Sequence, residues 1–320
     1  MPAADPTRGP AWRRHGLRLL WLSLAVLTGW LVADIVRSTD WRAVSSALRA
    51  RPAGALAAIA VAALASHALY GLLDVLGARA LGLTLPGRRI WLTATSSYAC
   101  NLNLGSLVGA AALRFKLYGR QGVAVADISR LIALSMAANW LGYLALLASL
   151  PFWAPTRALT RWTGAGVAIA ISAVAALVVV AYLVACLRGT QWRLRSQEFR
   201  FPPWRLALAQ IAVAAANWAL MGFVLQSALG ADVGYAQSLS ALLVAAIAGA
   251  VTHVPGGWGV LDYVIVRSFG GSLGAHLAVA GVLVYRAAYY LLPLIVAPLS
   301  IAWLLRTGSR DVGRPAQVSP

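Results

Sequence analysis

Residues Thr252 to Asp262 read Thr-His-Val-Pro-Gly-Gly-Trp-Gly-Val-Leu-Asp, and they lie inside a long apolar region from roughly Gln237 to Phe269. A proline and three glycines this close together cannot continue an ordinary helix. The broken backbone frees N–H and C=O groups for which hydrocarbon has no partners. At membrane depth such a break survives only where it packs in protein or lines a wet cavity. It is therefore either a binding site like the broken helices of transporters, or a kink or tight turn with no further role.

The rest of the chain puts the break in a membrane. Of the 320 residues 60% are hydrophobic and only 11% are charged, where soluble domains carry about 25% charge. Mean hydropathy is +0.74, and several apolar runs have the length of bilayer-spanning helices. The sequence predicts an all-α polytopic protein of the cell (plasma or inner) membrane. The net charge of +18 rests on arginines and one lysine, Lys116. They fall in short loops between apolar runs, where they set topology and meet anionic headgroups. Nucleic acid is excluded as the partner on that ground.

In chain order, residues 1–16 read as a disordered cytoplasmic N-terminus and Leu17–Val36 as a first span, retained because it is too long for a signal-peptide core. Trp41–Ala50 reads as an interfacial helix capped from Ser38, Thr39 or Asp40. Further spans are expected at Ala53–Gly77, Val123–Leu150, Gly164–Leu187, Leu206–Leu229 and His276–Leu305, with 306–320 a cytoplasmic tail. A second interrupted segment, Ile90–Leu113, breaks at Asn101-Leu-Asn103-Leu-Gly105-Ser106. Ala-Leu-Gly precedes both broken segments, at Ala80–Gly82 and Ala228–Gly230, and an arginine, Arg130 or Arg286, sits in the helix after each. The repeat units are about 53–150 and 205–305.

Loop charge decides how the broken segments run. If every apolar region spans, loop Lys and Arg divide evenly between the two faces. If both broken segments are re-entrant, the basic loops collect on the cytoplasmic side with both termini, as the positive-inside rule requires. The expected fold is therefore about six spanning helices plus two re-entrant broken segments, in an inverted repeat. The arginines between Arg37 and Arg51 fall on the outer face in this scheme, against the rule.

Chemistry-bearing groups are sparse. The histidines (His15, His67, His253, His276) lack the i, i+4 spacing of a helical metal site, and Cys100 and Cys186 have neither metal nor redox spacing. There is no Walker A sequence and no Gly-x-Ser-x-Gly elbow. The carboxylates in apolar segments, Asp74, Asp127 and Asp262, are scattered, so no catalytic residue, metal or cofactor is expected and the chain reads as transporter-like rather than as an enzyme. Ionisable groups inside apolar segments carry more information, because each costs at least about 2.5–3.5 kcal/mol to insert. Arg130 has Asp127 on the same helical face. Arg286 has no acid in its own helix, so it needs Asp262, another acid or an anionic ligand, and its planar fork suits phosphate. Gly256, Gly257 and Gly259 could present N–H groups as a phosphate nest, with His253 beside them. Tyr285, Tyr289 and Tyr290 flank Arg286, as packing or as ligand contacts. Asn139 and Asn217 read as helix-to-helix hydrogen bonds.

These stretches resemble a known family. Val254 to Asp262 is similar to the Pro-x-Gly-Gly-x-Gly-x-x-Glu signature of the lysylphosphatidylglycerol synthase transmembrane region family, also called flippase-like integral membrane proteins. Val284-Tyr285-Arg286-Ala-Ala-Tyr289-Tyr290-Leu-Leu-Pro293 resembles its Tyr-Arg…Tyr-Pro helix, and Asn101 to Arg114 its first Asn…Gly…Arg region. The likeness covers roughly residues 17–305. Asp262 stands where the family usually has Glu, and no stretch reads as the soluble aminoacyl-transferase domain of the lysyl-lipid-making members, so lysyl transfer is not implied. The resemblance implies a module that moves or hands on a lipid beside envelope enzymes such as glycosyltransferases.

The leading expectation is a translocase for an anionic or phosphate-bearing lipid, polyprenyl-linked lipids included. Arg130, Arg286, Pro255, Gly256, Gly257, Gly259, Asn101, Asn103, Arg114 and Tyr285 are the expected substrate contacts. Asp262, His253 and Asp127 are the candidate proton carriers. The alternatives are an accessory subunit or transferase in envelope glycolipid assembly, and a small-solute transporter or channel.

Overall fold

The computed structural model describes residues 39–105, 110–153, 164–194 and 197–308, with Asp34 and Arg37 besides. The expected first span, apart from Asp34, and the termini before it and beyond residue 308 lie outside the described residues. The elements are α1 Trp41–Arg49, α2 Ala53–Ala80, α3 Gly87–Leu104, α4 Ala112–Gly119, α5 Val125–Trp153 and α6 Ala165–Leu187. There follow a short antiparallel hairpin of β1 Gln191–Leu194 and β2 Gln197–Arg200, then α7 Trp204–Leu229, α8 Tyr235–Thr252, α9 Val260–Leu273, α10 Ala275–Arg286 and α11 Leu292–Gly308. The hairpin falls in the basic loop and is the one departure from an all-helical reading among the described residues.

Six helical stretches are long and apolar enough to cross a membrane. Ala53–Ala80, Val125–Trp153, Ala165–Leu187, Trp204–Leu229 and Ala275–Thr307 coincide with expected spans. The other is α8, which belongs to the second broken segment. The protein is a polytopic helical membrane protein. Its helices are bounded by the groups that sequence chemistry supplies. Asp40 caps α1, its Oδ1 accepting from Arg42 N and Ala43 N at 3.0 and 3.2 Å. Pro52, Pro86 and Pro203 stand at the N-caps of α2, α3 and α7, where no N–H is needed.

The helices pack in a set order. α2 is followed by the broken pair α3–α4 and then α5, and α7 by the broken pair α8–α9 and then α10. Each contact in one unit has its counterpart in the other: α2 with α3 and α7 with α8, α3 with α4 and α8 with α9, α4 with α5 and α9 with α10, α2 with α5 and α7 with α10. The two units join through α2 on α7 and α5 on α7. These crossings are close because small residues lie in them. A Cβ on Gly142 of α5 would run into Ala214 and the Ala215 nitrogen of α7. Small residues of this kind let backbones approach where no hydrophobic drive separates helix from lipid.

The first broken segment doubles back. α3 runs from Gly87 and stops at Gly105, and α4 returns until Tyr118 Oη lies 3.2 Å from Ile90 O. Gln121 Nε2 then donates to Thr93 Oγ1 at 3.4 Å, so the exit lies beside the entrance. The second is a helical hairpin, α8 packed on α9, with Gly257 at its tip against Gly249.

α10 and α11 are one rod interrupted by a π-helical turn, Ala287–Leu291. Pro293 explains it. A proline has no N–H to give and its ring clashes with the carbonyl four residues back, and a wider turn relieves both. Asn103 Nδ2 donates to the carbonyl of Tyr290 in this turn at 3.0 Å.

Candidate functional site

The tips of the two broken segments meet each other. His253 ends α8 in the left-handed conformation (φ 53°), and Gly256, Gly257 and Gly259 follow with φ of 64°, 59° and 77°. Gly256 lies so close to Leu102 of α3 that a Cβ there would collide with the Leu102 carbonyl oxygen. Asn103, one residue further along the same tip, donates Nδ2 to Tyr290 O at 3.0 Å and to Ala99 O at 2.9 Å. Glycine is thus required at 256 twice over, by conformation and by space.

Arg286 answers the question of where the freed carbonyls go. Its Nη1 donates to Gly256 O at 2.8 Å and its Nη2 to Gly257 O at 3.0 Å. The same fork grips Asp262, with Nε to Oδ1 at 2.8 Å and Nη2 to Oδ2 at 3.0 Å. Asp262 in turn accepts from Gly259 N at 2.8 Å, capping α9. The guanidinium lies over the rings of Tyr290 and Trp258, 4.2 and 4.5 Å from their centroids. Its side chain is 4% exposed and that of Asp262 15%. Of the partners the sequence allowed for Arg286, Asp262 is the one it holds. One charged side chain satisfies the break and is itself neutralised, which is what a broken backbone inside hydrocarbon demands.

A second buried pair joins Arg114, expected above as a substrate contact, to Asp74. Arg114 of α4 donates Nε to Asp74 Oδ2 at 2.9 Å and Nη2 to Asp74 Oδ1 at 3.0 Å, and Tyr118 Oη donates to the same carboxylate at 2.9 Å. Both side chains are sealed, at 3% and 0% exposure. The sequence carries a signal for it, since an acid inside an apolar span is costly unless paired and Asp74 lies within the expected span Ala53–Gly77. A third polar feature joins the units. Tyr98 Oη donates to Tyr289 Oη (3.2 Å), Tyr289 Oη to Ser66 Oγ (2.9 Å) and Ser66 Oγ to Asn217 Oδ1 (2.6 Å). Asn217 Oδ1 can only accept, which fixes the direction of the donors along this chain. Asn217 therefore does link helices, and Tyr98, Tyr289 and Ser66 were not singled out with it.

The remaining expected residues are placed as follows. Arg130 stands near the start of α5 and holds Asp127 at 3.3 Å, with the two side chains 42% and 35% exposed. As a buried, bidentate arginine the counterpart of Arg286 is Arg114, not Arg130. Tyr285 is fully buried and stacked on Tyr289 at 5.5 Å, with no hydrogen-bond partner for its hydroxyl among the described residues. Asn101 is half-buried on the last turn of α3, beside the junction. His253 is exposed, its Nδ1 3.0 Å from Val251 O. Pro255 opens the turn at the tip. No cluster of three metal-ligating side chains occurs among the described residues.

No family model matches the chain. It is 33% identical over 294 residues to the inner membrane protein YbhN of Escherichia coli, covering 90% of this chain and 92% of that one. An uncharacterised protein of Synechocystis is 26% identical over 239 residues, 71% of this chain and 72% of its own length. A phosphatidylglycerol lysyltransferase of Staphylococcus xylosus is 29% identical over 80 residues, a quarter of this chain and a tenth of that protein.

Proposed function

This chain belongs to the family of the inner membrane protein YbhN, and from that premise we propose that it is a lipid translocase of the flippase-like kind, moving an anionic or phosphate-bearing lipid between leaflets. The observation that carries the reading is the junction of the two broken segments: Gly256 seated on the Leu102 carbonyl, with Asn103 on Tyr290 O. Broken segments whose ends converge between repeated units are how secondary transporters build a site inside a bilayer. The stretch shared with a phosphatidylglycerol lysyltransferase supports a lipid with an anionic phosphate head.

In this reading both broken segments are re-entrant, from opposite faces, and both termini are cytoplasmic. Arg286 binds a headgroup by exchanging Asp262 for the phosphate, since its fork is already committed to the carboxylate and the two glycine carbonyls. The latch is then a gate that opens when a phosphate competes for the guanidinium. The released Asp262, with exposed His253 at the tip, is the proposed proton carrier. The sequence has no nucleotide-binding motif, so a gradient or simple equilibration drives the lipid. Envelope glycosyltransferases are the proposed neighbours that make or use it.

The test is scrambling of fluorescent phosphatidylglycerol against phosphatidylcholine in vesicles containing the purified protein. Wild type should move the anionic lipid faster. Gly256→Ala should slow it at least tenfold while leaving insertion intact, because it forces the two tips apart. Absence of scrambling by the wild type, or an unchanged rate in Gly256→Ala, would overturn the proposal.

A further inference from the structure

Away from the junction, α2, α3 and α11 bound a cavity of about 170 Å³ whose wall includes Leu64, Trp91, Thr95, Val296, Ala297 and Ser300. None of the tip residues lines it. Leu64 and Val296 are 39% and 42% exposed, so it opens on the flank of the bundle, which in a membrane faces lipid chains. The volume is far above the roughly 10–15 Å³ that one water needs.

Most of this wall offers only hydrocarbon. Trp91 Nε1 donates to Ala68 O and Thr95 Oγ1 to Trp91 O, both at 2.9 Å. Trp91 also sits so close to Gly71 that a Cβ there would run into its ring. The indole is thus pinned as a wall and does not swing in to fill the space. His67 Nε2 and Ser96 Oγ are sealed off and give an occupant nothing. Water finds no partners on such a wall, whereas an acyl chain gains dispersion contacts along it.

Polar groups gather at one end. Ser300 is half-buried, and its hydroxyl makes no hydrogen bond among the described residues. Trp303 stands one turn beyond it on α11, and Arg88 one turn before Trp91 and Leu92 on α3. The Arg88 guanidinium lies over the Trp303 ring, 4.6 Å from its centroid. The start of α3 therefore meets the end of α11, the two helices run antiparallel, and both steps lead to the same end of the cavity. Arg88 is exposed and holds no acid among the described residues. Stacking uses the face of the guanidinium and leaves its N–H edge to donate.

A hydroxyl donor and a cation at the end of an apolar slot complement acceptor oxygens at the end of a chain. A phosphodiester brings one negative charge to one guanidinium. An alcohol or a diacylglycerol brings none. No acid lines the cavity, so nothing there selects the group beyond the phosphate. We infer that this flank holds a resident phospholipid, its phosphate on Arg88, an ester oxygen on the Ser300 hydroxyl and an acyl chain between Trp91, Val296 and Ala297. The inference does not rest on translocation, because a resident lipid is part of the assembly and is not moved.

Native mass spectrometry of the full-length protein, purified in mild detergent, reads the site directly. Wild type should carry one phospholipid per chain. Arg88→Gln, at an exposed position, should fold normally and lower that occupancy about fivefold by loss of a charged hydrogen bond. Ser300→Phe should lower it about tenfold by filling the end of the slot. After delipidation, dioleoylphosphatidylglycerol should restore the adduct. Dioleoylglycerol has the same chains and esters but no phosphate, and should bind about tenfold more weakly. Arg286→Lys should leave the adduct in place, which separates this lipid from any held at the junction. No adduct in wild type given dioleoylphosphatidylglycerol, equal binding of the two probes, unchanged occupancy in Arg88→Gln, or an adduct lost from folded Arg286→Lys would overturn the site. The probe comparison and Arg88→Gln keep the test decisive if Ser300→Phe fails to fold.

Discussion

The two buried arginine pairs do different jobs with the same fork. Arg114 with Asp74 ties the returning limb of the first broken segment to the helix before it, and Tyr118 completes the carboxylate. The pair is shut away at 3% and 0% exposure, and its bonds all run between side chains. Arg286 with Asp262 ties the returning limb of the second segment to the helix after it, but half of its bonds go to backbone carbonyls of the break itself. Its partner retains 15% exposure, and two aromatic faces surround the cation. The first pair fastens helix to helix. The second also fastens a turn that no regular structure would hold.

The comparison breaks most readily at Arg114. Arg114→Met strands Asp74 as a buried unpaired charge and should destabilise by about 3–5 kcal/mol, seen as a lower melting temperature in detergent. Adding Asp74→Leu should recover most of that loss. A single variant as stable as wild type would mean that the pair fastens nothing.

Arg286→Lys sharpens it. Lysine keeps the charge but cannot reach a carboxylate and two carbonyls as a planar fork, so about 1.5–3 kcal/mol should go with one charged hydrogen bond. The gate reading expects more: anionic lipid should raise the melting temperature of wild type and not of Arg286→Lys. An equal lipid response in both would reduce Arg286 to a structural latch like Arg114.

Arg130→Ala marks the floor. An exposed i, i+3 pair such as Asp127–Arg130 contributes about 0–1 kcal/mol, so melting should scarcely change. A fall in scrambling with no fall in stability would restore Arg130 as a lipid contact.

Much of this was legible in the chain itself. Composition and apolar run length dictate a helical membrane protein, because a backbone in hydrocarbon must satisfy its own hydrogen bonds. Proline and glycine fix the places where helices stop, at Gly105 and across Pro255–Gly259, because those residues fail in a helix wherever they occur. That Arg286 needed Asp262, another acid or an anionic ligand followed from its own helix having no acid.

The partners themselves were decided by the tertiary structure. Arg114 meets Asp74 40 positions away, and Tyr289 meets Tyr98 across 191. No local rule links such pairs, since they become neighbours only once α4 has packed on α2 and the π-helical turn on α3. The sequence made Arg130 the twin of Arg286 because each lies in the helix after a break. The packing instead exposes Arg130 beside Asp127 and buries Arg114, because burial depends on which face of a helix meets the bundle.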